Sequence, residues 1–246
     1  MVEKRSLLVE IIGPAGSGKT TLLKTLTQRG EKVQSSIHPS KIRQVPFFIS
    51  NTFSLLPIYV RHYRHSRWFN WRETRSMSYL KAGLRIVERQ ASNNSKVIIM
   101  DHGPIYRLAF LRALGPEITT SQSYMNWWIN VLNKWAATLD VLIWLDAPNS
   151  ILVNRIRKRN TNHTVKDKHK EEAYKFLTRY RTFLAKIISD YMSDRQVLLL
   201  KFNTNQLTVN QIADRVLAKF DSASSARLKR SSNNPERLIT QSTQRL

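Results

Sequence analysis

The chain contains no cysteine, which excludes disulfide bridges and zinc sites built from thiolates. It also has no uninterrupted apolar stretch of the roughly 18 to 20 residues that a membrane-spanning helix needs. The nearest stretch, Val45 to Val60, is broken by Pro46, Asn51 and Pro57. The first residues do not form a secretory signal peptide, because Glu10 interrupts a short apolar run. These absences predict a cytoplasmic protein that is soluble or binds a membrane peripherally.

Acidic residues are also scarce: 17 Asp and Glu stand against 40 Lys and Arg, which gives a formal net charge of +23. Such a charge indicates a polyanionic partner, and nucleic acid, anionic lipid and nucleotide phosphates all qualify. A solvated basic surface without a specific partner explains the charge equally well. A homodimer is a further open alternative.

The length of 246 residues fits one large α/β domain with a sizeable core. From Ser222 onward Ser, Asn, Arg and Gln dominate, and such a segment buries too little apolar surface to offset the entropy lost on ordering. The sequence therefore predicts a single domain over residues 1–221 and a disordered basic tail over residues 222–246.

The strongest motif is IIGPAGSGKTT, residues 11 to 21. Its central part fits G-x-x-x-x-G-K-[ST], the pattern of a phosphate-binding loop. An apolar run from Leu7 to Ile12 precedes the loop, and leucines at helical spacing follow it until Gly30, so both required flanks are present. Glycines allow the backbone N–H groups to turn inward around an anion. The predicted nucleotide-binding residues are Gly13, Pro14, Ala15, Gly16, Ser17, Gly18, Lys19, Thr20 and Thr21.

Two side chains of this loop have predicted roles of their own. Lys19 would reach the β- and γ-phosphates of a nucleotide, and the Thr20 hydroxyl would ligate Mg²⁺. The helix that follows directs its positive end at the same anion. ATP and Mg²⁺ are therefore the predicted cofactors.

Five apolar runs alternate with helical patterns along the chain, which predicts a parallel sheet covered by helices on both faces. The predicted strands cover residues 7–12, 32–37, 97–100, 141–145 and 197–202. In such a three-layer α/β domain, ligands bind at the carboxyl ends of the strands. Asp101 and Asp146 each follow a strand at that end, and the pattern alone does not decide which of them faces the metal.

Residues 45 to 75 differ from the rest, because eight aromatic residues are interleaved there with arginines. Such a mixture can stack bases and hold phosphates. It can equally lie at a membrane interface, or form an amphipathic helical hairpin packed on the core. The pattern leaves these three interpretations open.

Four stretches together resemble the phosphate-loop nucleoside and nucleotide kinases, in particular thymidylate kinase-like proteins, over about Ser6 to Phe220. They are GPAGSGKT (13 to 20), KVIIMDHGP (96 to 104), LDAPNSILVNRIRKR (145 to 159) and EEAYKFLTRYRTFLAKI (171 to 187). The resemblance implies an ATP-dependent phosphotransferase with a nucleoside or nucleotide as acceptor and a helical lid over residues 155–170. The rival interpretations are a nucleic-acid-associated ATPase, a polynucleotide 5′-kinase and a regulatory nucleotide switch.

The resemblance also implies roles for single residues. It places the third strand beside the first, so Asp101 would contact the metal or its water, or deprotonate the acceptor, while Asp146 would be structural. Arg155 and Arg159, which are four residues apart on one predicted helix face, would neutralise charge on the transferred group as catalytic residues beside Lys19. The alternative for these arginines is an ordinary solvated helix end.

Two departures from that family affect the acceptor. The chain has Asp101-His102 where the family has Asp-Arg, and His38-Pro39 where it often has Glu-Pro. Those family residues help to fix the acceptor nucleotide, so deoxythymidylate does not follow from the resemblance. The predicted acceptor-binding residues are His38, His102, Arg72 and Arg75, with His102 also a candidate base.

Overall fold

The computed structural model describes residues 5–36, 41–62, 66–92, 97–160, 163–193, 195 and 197–232. The strands are β1 (Leu7–Ile12), β2 (Val33–Ser35), β3 (Val97–Asp101), β4 (Val141–Asp146) and β5 (Leu198–Asn203). The helices are α1 (Lys19–Arg29), α2 (Lys41–His62), α3 (Trp71–Ser92), α4 (Pro104–Leu114), α5 (Gln122–Thr138), α6 (Asn149–Arg157), α7 (Lys170–Tyr191) and α8 (Val209–Ser232), with a 3₁₀ turn at Glu117–Thr120.

The five strands form one parallel sheet in the order β2-β3-β1-β4-β5. This confirms the predicted five-stranded parallel sheet and the predicted position of the third strand beside the first. In the β1–β3 register Ile11 is opposite Asp101, so Asp101 ends its strand close to the start of the phosphate loop. The carboxyl ends of β1, β3 and β4 therefore meet at the edge where ligands bind in such sheets.

Side chains alternate between the two faces of the sheet, and each face has its own core. Leu8 and Ile12 of β1 pack in a cluster with α3, α4, α5 and α7, which contains the buried Trp135. Val9 and Ile11 pack on the other side with α1 and α8, around Leu22 and Val216. The central strand β1 is buried along its whole length, which explains its nearly uninterrupted apolar sequence.

The helical segments agree less closely with the predicted boundaries. Helix α8 continues to Ser232, well past Phe220, because residues 221–232 contain no Gly or Pro that would stop the helix. The predicted boundary at residue 221 therefore falls inside a helix, and residues 233–246 lie outside the described part of the chain. Strand β2 is shorter than predicted, and Ile37, its predicted last residue, also lies outside that part.

The aromatic and basic segment 45–75 belongs largely to two helices, α2 and α3, which pack against each other. The rings of Phe48 and Trp71 are 5.8 Å apart, and the Arg85 guanidinium lies 5.9 Å from the Phe47 ring. This arrangement agrees with one of the three open interpretations, the helical hairpin packed on the core, and the other two stay predictions. Within the described residues, no helix combines the length and the apolar character that crossing a membrane requires.

Candidate nucleotide and acceptor site

The phosphate loop lies between β1 and α1 and packs tightly on the neighbouring backbone. Gly13 has φ +139°, and a Cβ there would lie 2.0 Å from the carbonyl oxygen of Leu145. Gly16 has φ +85°, and its Cβ would lie 2.8 Å from the carbonyl oxygen of Leu152. Both positions require glycine, because a side chain would be strained in this conformation and would collide with β4 or α6. The loop is thus shaped by its contacts with the end of β4 and with α6.

Lys19 is the first residue of α1 and its ammonium group is directed back into the loop. Its Nζ donates hydrogen bonds to the carbonyl oxygens of Gly13 at 2.8 Å and Pro14 at 2.9 Å. Burial lowers the pKa of Lys19 to about 8, with the positive charge of Arg159 acting in the same direction and Asp101 opposing it. The ammonium group is therefore held inside the loop, where a phosphate of the nucleotide would meet it.

Asp101 contacts the phosphate loop through Thr20, whose Oγ1 donates to Asp101 Oδ2 at 2.6 Å. Burial alone would raise the pKa of Asp101, but the hydrogen bond and charge of His102, together with Thr20 and Lys19, hold that pKa below its usual value. Asp101 is thus an ionised carboxylate beside a hydroxyl group. These are hard oxygen donors of the kind that Mg²⁺ takes, commonly with one or two carboxylates plus substrate phosphates, so the residues present fit the metal.

Asp146 has a different environment, although it also ends a strand. Arg181 on α7 donates to both of its carboxylate oxygens, from Nε at 2.7 Å and from Nη2 at 3.0 Å. The amide of Ala147 donates to the same carboxylate at 2.8 Å. These contacts hold the turn between β4 and α6, as expected for a structural residue. The geometry therefore separates the two aspartates that the sequence pattern could not rank.

A cavity of about 390 Å³ opens beside the loop, between α6 and the start of α8. It is lined by Gly16, Ser17, Gly18, Thr21, Leu22, Leu145, Arg155, Arg159, Thr204, Leu207, Thr208, Val209 and Ile212. Arg155 donates to the side chain and the carbonyl oxygen of Thr204, both at 2.8 Å. The cavity joins the phosphate loop to a partly apolar wall, which suits the base and sugar of a nucleotide.

The prediction that Arg155 and Arg159 share a helix face is wrong, because α6 ends at Arg157. Arg159 is placed instead by the turn that follows, in which its backbone N–H donates to the carbonyl oxygen of Ile156 at 3.2 Å. Both arginines nevertheless border the same cavity. Their predicted role over the triphosphate stays a prediction, as does movement of residues 155–170 as a lid.

The predicted acceptor residues His102 and Arg72 meet at Tyr106, on α4. Arg72 donates a hydrogen bond to the Tyr106 hydroxyl, and the His102 ring meets the Tyr106 ring edge-on at 4.5 Å. Lys19 Nζ lies 5.5 Å from the centre of the same ring. Tyr106 thus links the phosphate loop to the predicted acceptor side. His38 lies outside the described residues.

His102 has a backbone φ of +56°, which is uncommon for a residue other than glycine. Its Nδ1 lies 3.1 Å from Asp101 Oδ1, so the strained conformation brings the imidazole onto the carboxylate. Backbone strain of this kind concentrates at functional sites. The observation supports a role for His102 beside Asp101.

Sequence reasoning missed Arg107, which forms much of the wall behind Tyr106. Its guanidinium stacks 4.0 Å from the centre of the Tyr79 ring and reaches Ser76 Oγ at 3.4 Å. Burial lowers the pKa of Arg107, and the positive charge of Arg75 adds to this effect. The predicted acceptor residue Arg75 is exposed and lies near enough to interact with Arg107. The only available signal was the basic character of two residues, Arg107 and Arg112, in a largely apolar helix.

Glu10 was also missed as a functional candidate, although it is the only charged residue in β1. It is fully buried, and its carboxylate accepts hydrogen bonds from the amides of Ile105 at 2.9 Å and Tyr106 at 2.8 Å. Burial raises the pKa of Glu10 to about 8, against the opposing effect of these two amides and of Arg107. Glu10 therefore fixes the first turn of α4, which carries Tyr106 and Arg107. The sequence signal that could have identified Glu10 is a single acidic residue within an apolar strand.

The segment that follows α6 brings an imidazole group, that of His163, to the site. His163 has a lowered pKa, first because of burial and then because of the charges of Arg72, Arg159, Lys19 and His102. A residue from the predicted lid region thus lies within electrostatic reach of both the phosphate loop and the acceptor side. Within the described residues, no group of three or more His, Cys, Asp or Glu could hold a metal by itself.

Comparison with known proteins gives one family and one fold. The family model described as "Deoxynucleoside kinase" matches residues 9–223. Similar solved structures include deoxyadenosine kinase from M. mycoides with bound dCTP (TM-score 0.51, 17% identity), with the products dCMP and a flexible dCDP (0.53, 16%), and with bound dATP (0.52, 16%). Each alignment covers 88% of this chain and 100% of that chain. A search of the curated proteins finds no significant match.

Proposed function

The chain belongs to the deoxynucleoside kinase family, and on that premise we propose which of its residues bind ATP, which bind the acceptor and which assist the transfer. Membership makes the chain an ATP-dependent phosphotransferase that acts on a nucleoside. It confirms the resemblance to phosphate-loop nucleoside and nucleotide kinases, and it does not favour a nucleic-acid-associated ATPase or a polynucleotide kinase. The matched family is that of the deoxynucleoside kinases, so the narrower thymidylate kinase-like assignment stays a proposal.

The phosphate end of ATP binds to the loop of residues 13–21. Backbone N–H groups surround the phosphates, and Lys19 neutralises charge on the β- and γ-phosphates. Thr20 and Asp101 would hold Mg²⁺ with their oxygen atoms. When bound, the ion supplies charge neutralisation on the triphosphate. The base and sugar occupy the cavity lined by Arg155 and Thr204.

The acceptor lies on the α4 side of Asp101, where Arg72, His102 and Tyr106 meet. In the transfer, an acceptor hydroxyl oxygen forms a bond to the γ-phosphorus while the bond between that phosphorus and the bridging oxygen breaks, which releases ADP. Asp101 accepts the hydroxyl proton in this proposal, or holds the metal and its water. Arg159 offsets the negative charge on the transferred group, since stabilising that charge is the main task in phosphoryl transfer.

The 2.6 Å contact between Thr20 Oγ1 and Asp101 Oδ2 is the observation that carries this proposal. It brings the metal-binding hydroxyl of a phosphate loop and an ionised carboxylate to one point beside Lys19. The test is a screen of deoxynucleosides with ATP and Mg²⁺, read by mass spectrometry for the phosphorylated product. Absence of product from every deoxynucleoside and nucleotide would overturn the proposal.

A nucleoside monophosphate is a second candidate acceptor, which would agree with the thymidylate kinase-like assignment. The observation that favours it is the group of three arginines on this side, in which Arg72 and Arg107 interact with Tyr106 and Arg75 interacts with Arg107, since guanidinium groups bind phosphate well. The same screen separates the two candidates when each nucleoside is run beside its monophosphate. Products formed only from monophosphates would favour this second candidate.

A further inference from the structure

Helix α2 exposes a row of large apolar side chains. Ile49, Phe53, Leu56 and Val60 are exposed to 48%, 70%, 42% and 59%. Their spacing of four, three and four residues places them on one face of the helix. Trp71, which is 71% exposed, contacts the same helix through the ring of Phe48, the residue next to Ile49 in the chain. We refer to these five side chains as the α2 apolar face.

This concentration is unusual for the molecule. Among the described residues, the large apolar side chains that are exposed are those of the α2 apolar face and Leu198 on β5. Single exposed apolar residues are ordinary on protein surfaces, whereas a contiguous apolar patch marks a binding surface. Asn51 on the same helix is buried, so α2 has one side against the protein and an apolar side exposed to solvent.

Charge indicates which kind of partner fits this surface. From Lys32 to Arg72 the sequence contains no Asp or Glu, while Arg61 and Arg72 are exposed. The whole chain has a net charge of +23, which opposes close approach of a second copy. An anionic partner is therefore favoured over self-association.

The chemistry of the side chains separates two anionic partners. Single-stranded nucleic acid is bound by aromatic rings that stack on successive bases, whereas Ile49, Leu56 and Val60 have no ring. Aliphatic and aromatic side chains on one helix face, next to basic residues, are typical of helices that lie in the interface of an anionic bilayer. Lysine and arginine near such a surface add further attraction to acidic headgroups.

We propose that the α2 apolar face docks the protein on the surface of an anionic lipid bilayer. In this arrangement α2 lies along the membrane plane, with Phe53 and Leu56 inserted at the boundary of headgroups and acyl chains. Arg61 lies among the acidic headgroups. Docking of this kind requires no spanning helix, and no residue of the α2 apolar face lines the cavity beside the phosphate loop.

The test measures binding of the full chain to lipid vesicles by flotation. One set of vesicles is phosphatidylcholine alone and the other contains about 30% phosphatidylserine, because anionic lipid supplies the electrostatic part of binding. Wild type is expected to bind the phosphatidylserine vesicles. The double variant Phe53→Gln/Leu56→Gln should bind them at least about tenfold more weakly, since it loses two inserted apolar groups. Leu198→Gln, the matched control, should bind like wild type.

Two further measurements keep the test decisive. The double variant should retain kinase activity in solution and the wild-type melting temperature, because both residues are exposed. If the double variant unfolds, vesicles with brominated phosphatidylserine test the proposal on folded wild-type protein. These vesicles should quench the tryptophan fluorescence of wild type, and the quenching should be smaller in Trp71→Phe.

Three outcomes would overturn the proposal. One is equal vesicle binding by wild type and the double variant, which would assign the binding to charge alone. Another is absence of vesicle binding together with a wild-type dimer that the double variant converts to a monomer. The third is salt-dependent binding of single-stranded DNA, lost in the double variant, without binding to vesicles.

Discussion

The carboxylate of Glu10 accepts a hydrogen bond from the backbone amide of Tyr106, 2.8 Å away. The strand that leads into the phosphate loop is thereby joined to the helix that carries the proposed acceptor wall. Gly103 makes this possible, since a Cβ there would lie 2.7 Å from Glu10 Cδ. Glu10 thus fixes the position of α4 and of Tyr106, although it is fully buried and does not itself contact a substrate.

Replacing Glu10 with glutamine should destabilise the protein by about 1–3 kcal/mol, because the amide NH₂ cannot accept the second backbone hydrogen bond. The Michaelis constant for the acceptor should rise more than that for ATP, since α4 carries Tyr106, where Arg72 and His102 meet. Urea unfolding and steady-state kinetics measure both effects. The control is Glu88→Gln at an exposed position of α3, and equal effects from the two variants would contradict the interpretation.

The pKa of Glu10 also predicts a pH dependence of stability. Folding raises this pKa from 4.5 to about 8, so the folded chain binds the proton more tightly than the unfolded chain. The contribution of Glu10 to the free energy of unfolding is therefore largest below about pH 4.5 and decreases as the pH rises toward 8. In Glu10→Gln this part of the decrease should be absent. Urea titrations of both proteins over this range would show it as a difference in slope.

Lys19→Ala should weaken ATP binding at least about tenfold, because it removes the cation held inside the phosphate loop. Isothermal titration with ATP and Mg²⁺ measures the change. Lys24→Ala, on the exposed side of the same helix, is the matched control and should bind ATP normally. Unchanged binding in the Lys19 variant would show that ATP does not occupy the loop.

Asp101→Asn should keep the fold and much of the ATP affinity, since Lys19 and the loop backbone remain. Transfer should nevertheless fall by roughly two to four orders of magnitude, the usual size for loss of a general base. Asp146→Asn should have a small effect on transfer but lower the melting temperature, because Arg181 loses its charged partner. Single-turnover assays on the two variants provide the comparison. If Asp101→Asn transfers normally and Asp146→Asn is inactive, the catalytic carboxylate is Asp146 on β4 and the proposal for Asp101 is wrong.

The two arginines next to α6 should give different kinetic effects. Arg155 is bound to Thr204 in the wall of the cavity, so Arg155→Ala should mainly raise the Michaelis constant for ATP. Arg159 interacts electrostatically with Lys19, so Arg159→Ala should mainly lower the turnover number, by roughly ten- to a thousandfold. Steady-state kinetics on both variants test this division, and the same pattern in both would contradict it.

The features best predicted from the sequence are those that depend on residues close together along the chain. The phosphate loop, the five strands and the parallel sheet follow from local spacing and from strong apolar runs such as those of β1 and β4. The end of α6 was harder, because Arg155 to Arg159 contains no Gly or Pro to mark it. The end of α8 was predicted too early, at Phe220, for a related reason, since residues 221–232 contain no Gly or Pro either.

Contacts between distant segments could not be predicted from spacing. The order of the strands in the sheet brings Asp101 next to Thr20 and Asp146 next to Arg181. From the sequence, the two aspartates could be ranked only through the family resemblance. Glu10 and Tyr106 are far apart in the chain, and their hydrogen bond depends on how β3 enters α4. The roles of the site residues stay predictions until the variants are assayed.

The position of β1 in the sheet also constrains how the chain can be made. Among the five described strands β1 is synthesised first, yet it lies in the centre and pairs with β3 and β4, which are synthesised much later. Until Val141–Asp146 emerges, an unpaired edge of a strand that is apolar except for Glu10 is available to other nascent chains. The phosphate loop also acquires its shape from Leu145 and Leu152. Nucleotide binding should therefore begin only after β4 and α6 have been translated, and β1 is where a chaperone would be needed before then.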